Sequence, residues 1–211
     1  VILSAVLVSL FSFSMFPVSA VASKARVSAL QNAPHLNDGT DIFAKPSVAA
    51  NMGGWATFEF GTTSSTTAVA TQPNAEAGFA RAQDHTTYGF YLGHENSWVN
   101  DSRYQAGALY LAEENPLYLF YATKGAIIWG AGLSYSNSDK KTNGKQSATG
   151  VSLSAEANSW NAYATLGFTN TATSKATSPV TNDKFTGSLA TIIGGGYKMD
   201  SLYFYGQISQ N

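Results

Sequence analysis

The chain has 211 residues, a formal net charge of −1 and no cysteine. The absence of cysteine excludes disulfides and thiolate metal sites, and a nearly neutral charge without a basic stripe argues against nucleic acid as a partner. Charged residues make up 12% of the chain, about half their usual share in soluble proteins. A mean hydropathy near zero does not fit a bundle of membrane-spanning helices, but it fits a barrel in which half of each strand faces water.

The first residues predict an export signal. Residues 1–16 are apolar apart from serine, and Ala20-Val21-Ala22 has the small side chains that signal peptidases prefer. We therefore predict that residues 1–22 belong to a signal peptide cleaved before Ser23. Because no basic region precedes Val1, we expect the chain to start inside this signal. A buried N-terminal helix is the alternative interpretation.

Residues 23–50 are expected to lead into the first strand without forming one. Pro34 and Pro46 interrupt backbone hydrogen bonding, and Asn37-Asp38-Gly39 is a turn signal. From residue 51 onwards apolar and polar residues alternate, which is typical of strands with one apolar and one polar face. The sequence therefore predicts a β-domain over residues 51–211, with its C-terminal part missing.

The alternating runs predict about nine strands. In chain order they are residues 52–61, 85–94, 103–112, 117–122, 126–136, 147–157, 160–170, 185–197 and 202–210. The apolar and polar sides of each run would form the two faces of one antiparallel sheet.

Tight and long connections alternate along this series. Thr123-Lys124-Gly125, Asn158-Ser159 and Asp200-Ser201 are predicted tight turns, whereas residues 62–74, 137–146 and 169–184 are predicted long connections. Strands joined in this way form an up-and-down sheet with all its tight turns at one end, which is typical of outer-membrane β-barrels. A soluble β-sandwich has the same period of two, so the alternation alone leaves both folds open.

Aromatic residues bracket aliphatic residues on the apolar face. The predicted membrane-interface pairs are Trp129 and Tyr135, Trp160 and Phe168, and Phe185 and Tyr197. Amphipathic rings prefer the two membrane–water interfaces of a barrel. A strand from Trp160 to Phe168 would span roughly 26 Å, which a tilt of about 40° reduces to roughly 20 Å, near the height of the apolar band. Rings in the core of a sandwich are the alternative.

Together these patterns predict an all-β fold, an antiparallel up-and-down transmembrane β-barrel. Single-chain bacterial barrels have an even number of strands and close so that no edge lies in lipid. Because the predicted count is odd and Gln210-Asn211 ends the chain in mid-strand, we expect a fragment of a barrel with about ten or more strands.

The polar faces supply the candidate functional residues. The predicted lumen-facing side chains are Glu59, Gln105, Ser134, Ser152, Glu156, Tyr163 and Thr165. In a water-filled barrel such side chains set the width and the field of a pore. In a narrow barrel they would instead fill the lumen with hydrogen bonds.

No catalytic, cofactor or metal site is predicted. His85 and His94 fall at opposite ends of one predicted strand, roughly 30 Å apart at about 3.3 Å per residue, so they do not share a metal ion. Gly194-Gly195-Gly196 lies inside a strand and not before a helix, so we expect it to permit a bend or close packing and not to bind phosphate. Gly130 and Gly132 are interpreted in the same way.

The N-terminal residues also resemble a known family. Residues 26–30 (RVSAL), 34–38 (PHLND) and 41–46 (DIFAKP) resemble the mature start of porin-like outer-membrane proteins from predatory and related Gram-negative bacteria. The resemblance implies a pore-forming or structural surface barrel without a cofactor or an enzymatic activity. The family supplies no agreed set of functional residues.

The sequence therefore predicts a porin-like channel for passive diffusion of small hydrophilic solutes across the outer membrane of a Gram-negative bacterium. The expected partners are membrane lipid, lipopolysaccharide and these solutes, and a homo-oligomer stays open. One alternative is a structural or adhesive surface barrel without an open pore. A second alternative is a secreted, soluble β-sandwich that acts as a binding module.

Overall fold

The computed structural model describes residues 39–60, 75–105, 113–140, 144–174, 184–187 and 189–210. Most of them lie in one antiparallel up-and-down sheet, which confirms the predicted all-β fold. The strands are β1 (Trp55–Phe60), β2 (Ala75–Gln83), β3 (Thr86–Leu92), β4 (Leu117–Thr123), β5 (Ile128–Lys140), β6 (Gly144–Ala157), β7 (Trp160–Ser174), β8 (Lys184–Thr186), β9 (Ala190–Met199) and β10 (Leu202–Gln210). The helices are the 3₁₀ helices η1 (Gly39–Phe43) and η2 (Pro46–Val48) and the α-helices α1 (Ala49–Met52) and α2 (Ser97–Gln105).

The main strands pair in chain order, from β1 to β7 and then β9 and β10, while the short β8 pairs with β7. Tight turns at residues 84–85, 124–127, 158–159 and 200–201 all lie at one end of the sheet, which we call the tight-turn end. They include the three predicted turns, the first of them shifted to residues 124–127. Asp84 and Asp200 have φ angles of 51° and 53°, in the left-handed region that two-residue hairpins require. Within the described residues, β1 and β10 form the edges of the sheet.

Strand β2 was not predicted. Its residues are mostly alanine, glycine and charged or polar residues, which have low strand propensity, so the run resembles a continuation of the preceding loop. Packing stabilises it: the rings of Trp55 and Tyr91 lie directly over Gly78 on β2. The next predicted strand, residues 85–94, is confirmed in position but begins at Thr86, because residues 84–85 form the turn.

The predicted strand over residues 103–112 is wrong at its start. Residues 103–105 form the last turn of α2, and residues 106–112 lie outside the described residues. Val99 and Arg103 are four residues apart, so the helix places both on one side. That side is buried against the sheet, with Val99 0% and Arg103 2% exposed. This packing stabilises the helix over the predicted strand.

Two predicted long connections are shorter than expected. Strands β5 and β6 continue as a paired ladder to Lys140 and Gly144, so the expected loop over residues 137–146 is wrong. Strand β7 continues to Ser174, which shortens the loop predicted for residues 169–184. The single strand predicted for residues 185–197 is two strands, β8 and β9. These extensions consist mostly of polar residues and glycine, whose pattern is that of a loop, but their backbones pair in the β5–β6 and β6–β7 ladders.

The two faces of the sheet are covered differently. The inner face carries η1, η2 and α1, together called the inner segment (residues 39–52), and also α2. Ile42 and Ala49 of the inner segment pack against Trp55, Tyr118 and Phe120 of the sheet. A second cluster joins α2 to β6 and β9, and it is formed by Trp98, Val99, Ala148 and Ala190.

The opposite, outer face carries large apolar side chains that no described part of the chain covers. Its members exposed by 40% or more include Phe58, Phe90, Leu119, Trp129, Leu133, Leu153, Phe168, Ile193, Phe204 and Ile208. The described strands form one sheet and not two facing sheets, so this apolar surface has no partner layer of the kind that a sandwich provides.

Candidate functional site

Nearly all predicted lumen-facing residues lie on the inner face. Glu59, Ser134, Ser152, Glu156, Tyr163 and Thr165 occupy inner positions of their strands. Gln105 does not, because it ends α2. Ser134, Ser152 and Thr165 are less than 9% exposed, so these hydroxyl groups contact the chain itself.

Serine residues of β6 hold the backbone of the inner segment. Ser152 Oγ donates a hydrogen bond to the carbonyl oxygen of Phe43 at 2.8 Å, and Ser47 N donates to Ser154 Oγ at 2.8 Å. Ser152 Oγ also lies 3.2 Å from Thr165 Oγ1. Short 3₁₀ helices leave backbone groups without internal partners, and such groups need one when buried. The polar inner face supplies these partners.

Two further contacts anchor the inner segment to β6 and β7. Asn51 Nδ2 donates to Glu156 Oε1 at 2.8 Å. Lys45 Nζ lies 5.6 Å from the centre of the Tyr163 ring, within the range of a cation–π interaction. The predicted lumen residues Glu156 and Tyr163 therefore bind a part of their own chain.

An aromatic cluster anchors η1 to β2 and β3. The ring of Phe43 stacks on His94 with 3.4 Å between centroids and meets Tyr91 edge-on at 5.0 Å. Tyr91 Oη donates to Glu76 Oε2 at 3.2 Å, and His94 Nδ1 lies 3.7 Å from the same oxygen. His85 lies in the tight turn at the other end of β3, so the two histidines are far apart, as predicted.

Glycines of β5 create space for the inner segment and for the β4 ring that binds it. A Cβ atom at Gly130 would overlap the backbone of Pro46 and Ser47, and one at Gly132 would overlap the ring of Tyr118. The close packing expected at Gly130 and Gly132 is therefore present. The sequence did not indicate what packs there, because Pro46 and Ser47 lie far away along the chain.

Helix α2 likewise packs over glycines, in this case those of β6 and β7. The indole of Trp98 lies over Gly150 and Gly167, where added Cβ atoms would come within 2.9 Å and 2.5 Å of ring carbons. Trp98 is 3% exposed. Alternation did not identify Trp98, because it falls between the predicted strands over residues 85–94 and 103–112.

Arg103 of α2 reaches a polar site on the inner face. Its Nε donates to Asn170 Oδ1 at 2.8 Å, and one terminal nitrogen donates to Gln146 Oε1 at 3.2 Å and to the Thr171 carbonyl oxygen at 3.3 Å. Burial lowers the pKa of Arg103 to about 10, so the side chain stays charged at neutral pH. A buried charge is stable only when it is well hydrogen-bonded, and these acceptors supply the bonds.

A β-bulge directs Asn170 to Arg103. The β6–β7 register shifts between Thr149 and Gly150, and Phe168 has no partner on β6. Phe168 is 57% exposed on the outer face, and the side chains beyond it are shifted by one position. Strict alternation predicts Thr169 on the inner face, whereas Asn170 is the residue buried there. Bulges redirect side chains in this way, and no residue pattern indicated this one.

Glu113 joins the two ends of the connection between β3 and β4 that contains α2, which we call the α2 connection. Its carboxylate accepts bonds from Asn96 N at 2.6 Å and from Asn96 Nδ2 at 2.9 Å, and Glu113 N donates to Asn100 Oδ1 at 3.2 Å. Burial raises the pKa of Glu113 to about 7, although the bonds from Asn96 and the charge of Arg103 act in the opposite direction. The protonation state of Glu113 therefore changes near neutral pH.

The predicted interface aromatics separate into two ends of the sheet. Trp129, Trp160 and Tyr197 lie near the tight turns, whereas Tyr135 and Phe168 lie towards the opposite end. These five are on the outer face. The prediction that Phe185 lies at the membrane interface is wrong. Strand β8 pairs Phe185 with Ala172, whose side chain is buried on the inner face, so Phe185 does not belong to the outer apolar surface.

No protein-family model, curated protein or solved structure matches this chain. Among the described residues, no helix is both long and apolar enough to cross a bilayer. No three histidine, aspartate or glutamate side chains are grouped there to hold a metal ion.

Proposed function

We propose that this sheet is the membrane-embedded wall of an outer-membrane channel that admits small hydrophilic solutes by passive diffusion. Its outer face would contact lipid, and its inner face would border water and the inner segment. The resemblance of the N-terminal residues to porin-like proteins of Gram-negative bacteria agrees with this proposal.

The bare apolar outer face is the observation that carries the proposal. Burying a large apolar side chain is favourable by about 1.5–3 kcal/mol, and extended exposed apolar patches on a protein mark contact surfaces. Here Leu119, Leu133, Leu153 and Ile193 are each 42–57% exposed. On β5 and β6 the inner-face hydroxyl side chains of Ser134, Ser152 and Ser154 are instead covered. A soluble sheet has the reverse arrangement, whereas a barrel wall in lipid has this one.

The inner face of the last two strands supports passage of solutes. Lys198 and Gln207 occupy inner positions there and are exposed, and Tyr205 is 61% exposed. Strands β9 and β10 therefore present polar, uncovered side chains to the space beside the inner segment. Side chains of this kind can border an aqueous path.

A structural barrel without an open pore is the second candidate. The inner segment and α2 cover much of the inner face from β1 to β7, and Ser134, Ser136 and Ser152 are at most 6% exposed. If both elements remained bound, they would act as a plug. The two candidates share the lipid-facing outer surface and differ in the path through the interior.

Two measurements test the proposal. Purified protein in detergent should migrate on gels in a heat-modifiable way, because a barrel resists unfolding in detergent until it is heated. In planar bilayers it should produce discrete conductance steps. A folded monomer that is soluble without detergent would contradict the membrane proposal, and a heat-modifiable but silent protein would favour the plugged barrel.

A further inference from the structure

A cavity of about 370 Å³ opens at the tight-turn end of the inner face. It lies between Asn51 of the inner segment and the tight-turn ends of β5, β6, β7, β9 and β10. Its polar lining consists mainly of Asn51, Lys124, Glu156, Asn161, Lys198 and Tyr203. None of these residues belongs to the cluster of Arg103 and Glu113.

The charges of this cavity favour an anion. Lys124 and Lys198 are exposed, and within the described residues neither lies at ion-pair distance from a carboxylate. Glu156 is the acidic residue of the lining, and it already accepts the bond from Asn51. Glu156 also interacts electrostatically with the buried Lys45 and with Lys124 itself. Because two lysines face one carboxylate, the lining keeps an excess of positive charge even with Glu156 ionised.

Hydrogen-bonding groups converge on the same space. Asn161 Nδ2 donates to Tyr203 Oη at 2.7 Å, so the phenol oxygen already accepts a bond and its proton can be donated elsewhere. Asn161 Oδ1 is buried without a hydrogen-bond partner in the described part of the chain. The Tyr203 ring lies over Gly196, where a Cβ atom would overlap its hydroxyl oxygen. A glycine at this place in the Gly194-Gly195-Gly196 run therefore positions Tyr203.

We propose that this cavity binds the carboxylate or phosphate group of a small solute that also carries a hydroxyl group. The oxyanion would lie between Lys124, Lys198 and the phenol of Tyr203, and a neighbouring hydroxyl would donate to Asn161 Oδ1. Two cationic groups and a phenol are suitable donors for an oxyanion. This inference deepens the proposed function and rests on it, because the cavity would select small anionic solutes at the tight-turn end of the channel.

Calorimetric titration of the detergent-solubilised full chain tests the site without requiring transport. Inorganic phosphate and acetate serve as probes for the two oxyanion chemistries, and glycerol serves as the uncharged control. We expect saturable binding of at least one oxyanion and none of glycerol. The double variant Lys124→Gln/Lys198→Gln should weaken binding about three- to tenfold, the range expected for exposed charge–charge contacts with hydrogen bonding.

A matched variant separates a local site from general charge attraction. Lys145 is an exposed lysine that pairs with Asp139 at 2.6 Å, at the far end of the sheet, so Lys145→Gln should leave binding unchanged. Tyr203→Phe, which keeps the ring, should also weaken binding. Absence of saturable binding, or equal loss in the Lys145→Gln variant, would overturn the inference.

Bilayer recordings then separate this inference from the proposed function. In a salt gradient, we expect a preference for anions that falls in the double lysine variant and persists in Lys145→Gln. A protein that binds the oxyanion but conducts nothing would refute the channel and keep the binding site. A conducting protein whose selectivity and binding ignore both lysines would refute the site and keep the channel.

Discussion

At the scale of single residues, the inner face owes its chemistry to polar side chains that bind other parts of the chain. Ser152 and Glu156 were identified from alternation alone, since period two assigns a face without knowledge of the fold. Arg103 and Asn170 were not, because one lies on a helix and the other follows a bulge. Residue patterns therefore predicted which face is polar but not which groups meet on it.

Replacement of Arg103 by methionine should destabilise the docking of α2. The change keeps much of the side-chain volume but leaves Asn170 Oδ1 and Gln146 Oε1 buried without their donor. We expect a loss of about 2–4 kcal/mol in the free energy of unfolding, measured by urea titration in detergent. Arg81→Met is the matched control, because Arg81 is exposed. Equal stability of the two variants would contradict a structural role for Arg103.

Glu113 should make the stability of the α2 connection depend on pH. Burial raises its pKa from the ordinary 4.5 to about 7 in the folded chain, so folding favours the protonated carboxyl. This contribution is fully present below about pH 4.5 and is lost as the pH rises through about 7. The free energy of unfolding should therefore be roughly 2 kcal/mol higher at about pH 5 than at about pH 8. In Glu113→Gln this part of the pH dependence should disappear; an unchanged pH profile would show that another group is responsible.

At the scale of elements, alternation and turn signals located the strands from β4 to β7 and β10 well, with errors mainly at their ends. Strand β2 was not predicted from the sequence, because its alanine and glycine residues have low strand propensity and are held in the strand by packing under the rings of Trp55 and Tyr91. Helix α2 was not predicted either, because its burial against β6 and β7 depends on the contacts of Trp98 and Arg103. Such tertiary contacts override local propensity, and no local pattern reveals them.

The inner segment should leave the sheet when a larger side chain fills the groove over Gly130 in which Pro46 and Ser47 lie. Gly130→Val would place side-chain atoms where the backbone of Pro46 and Ser47 now lies. The chain has no cysteine, so Ser47→Cys gives a single probe at a position that is 1% exposed. We expect slow maleimide labelling of Ser47→Cys alone and fast labelling when Gly130→Val is added.

A glycine outside the groove provides the control for this experiment. At Gly206 an added Cβ atom would meet nothing within 4 Å, so Gly206→Val should leave the labelling of Ser47→Cys slow. Fast labelling in the Gly206→Val background, or slow labelling in the Gly130→Val background, would contradict the proposed fit of the inner segment over Gly130. Larger conductance with Gly130→Val would also identify the inner segment as an obstacle in the path.

At the scale of the whole molecule, the sheet leaves the apolar side chains of its outer face uncovered and covers an inner face that combines polar side chains with the rings of Trp55, Tyr118 and Phe120. Alternation predicted two unlike faces but could not decide which of them faces solvent, because a sandwich has the same period. In the structure the inner segment takes its position on the inner face and leaves Leu133 and Leu153 of the outer face bare. That position depends on contacts such as Ser47 with Ser154, which are separated by 107 residues and leave no mark in local sequence.

A charge placed on the outer face tests this arrangement directly. Leu153 is 51% exposed and pairs with Ala131 and Ala164, near the middle of the outer face. In water, Leu153→Arg would change stability little, but at the midplane of a bilayer it should cost about 2–4 kcal/mol. Thr173→Arg lies near the far end of β7, where the cost should fall to about 0–1 kcal/mol. Unfolding free energies measured in lipid vesicles should therefore differ between the two variants, and equal, small effects would show that the outer face does not contact lipid.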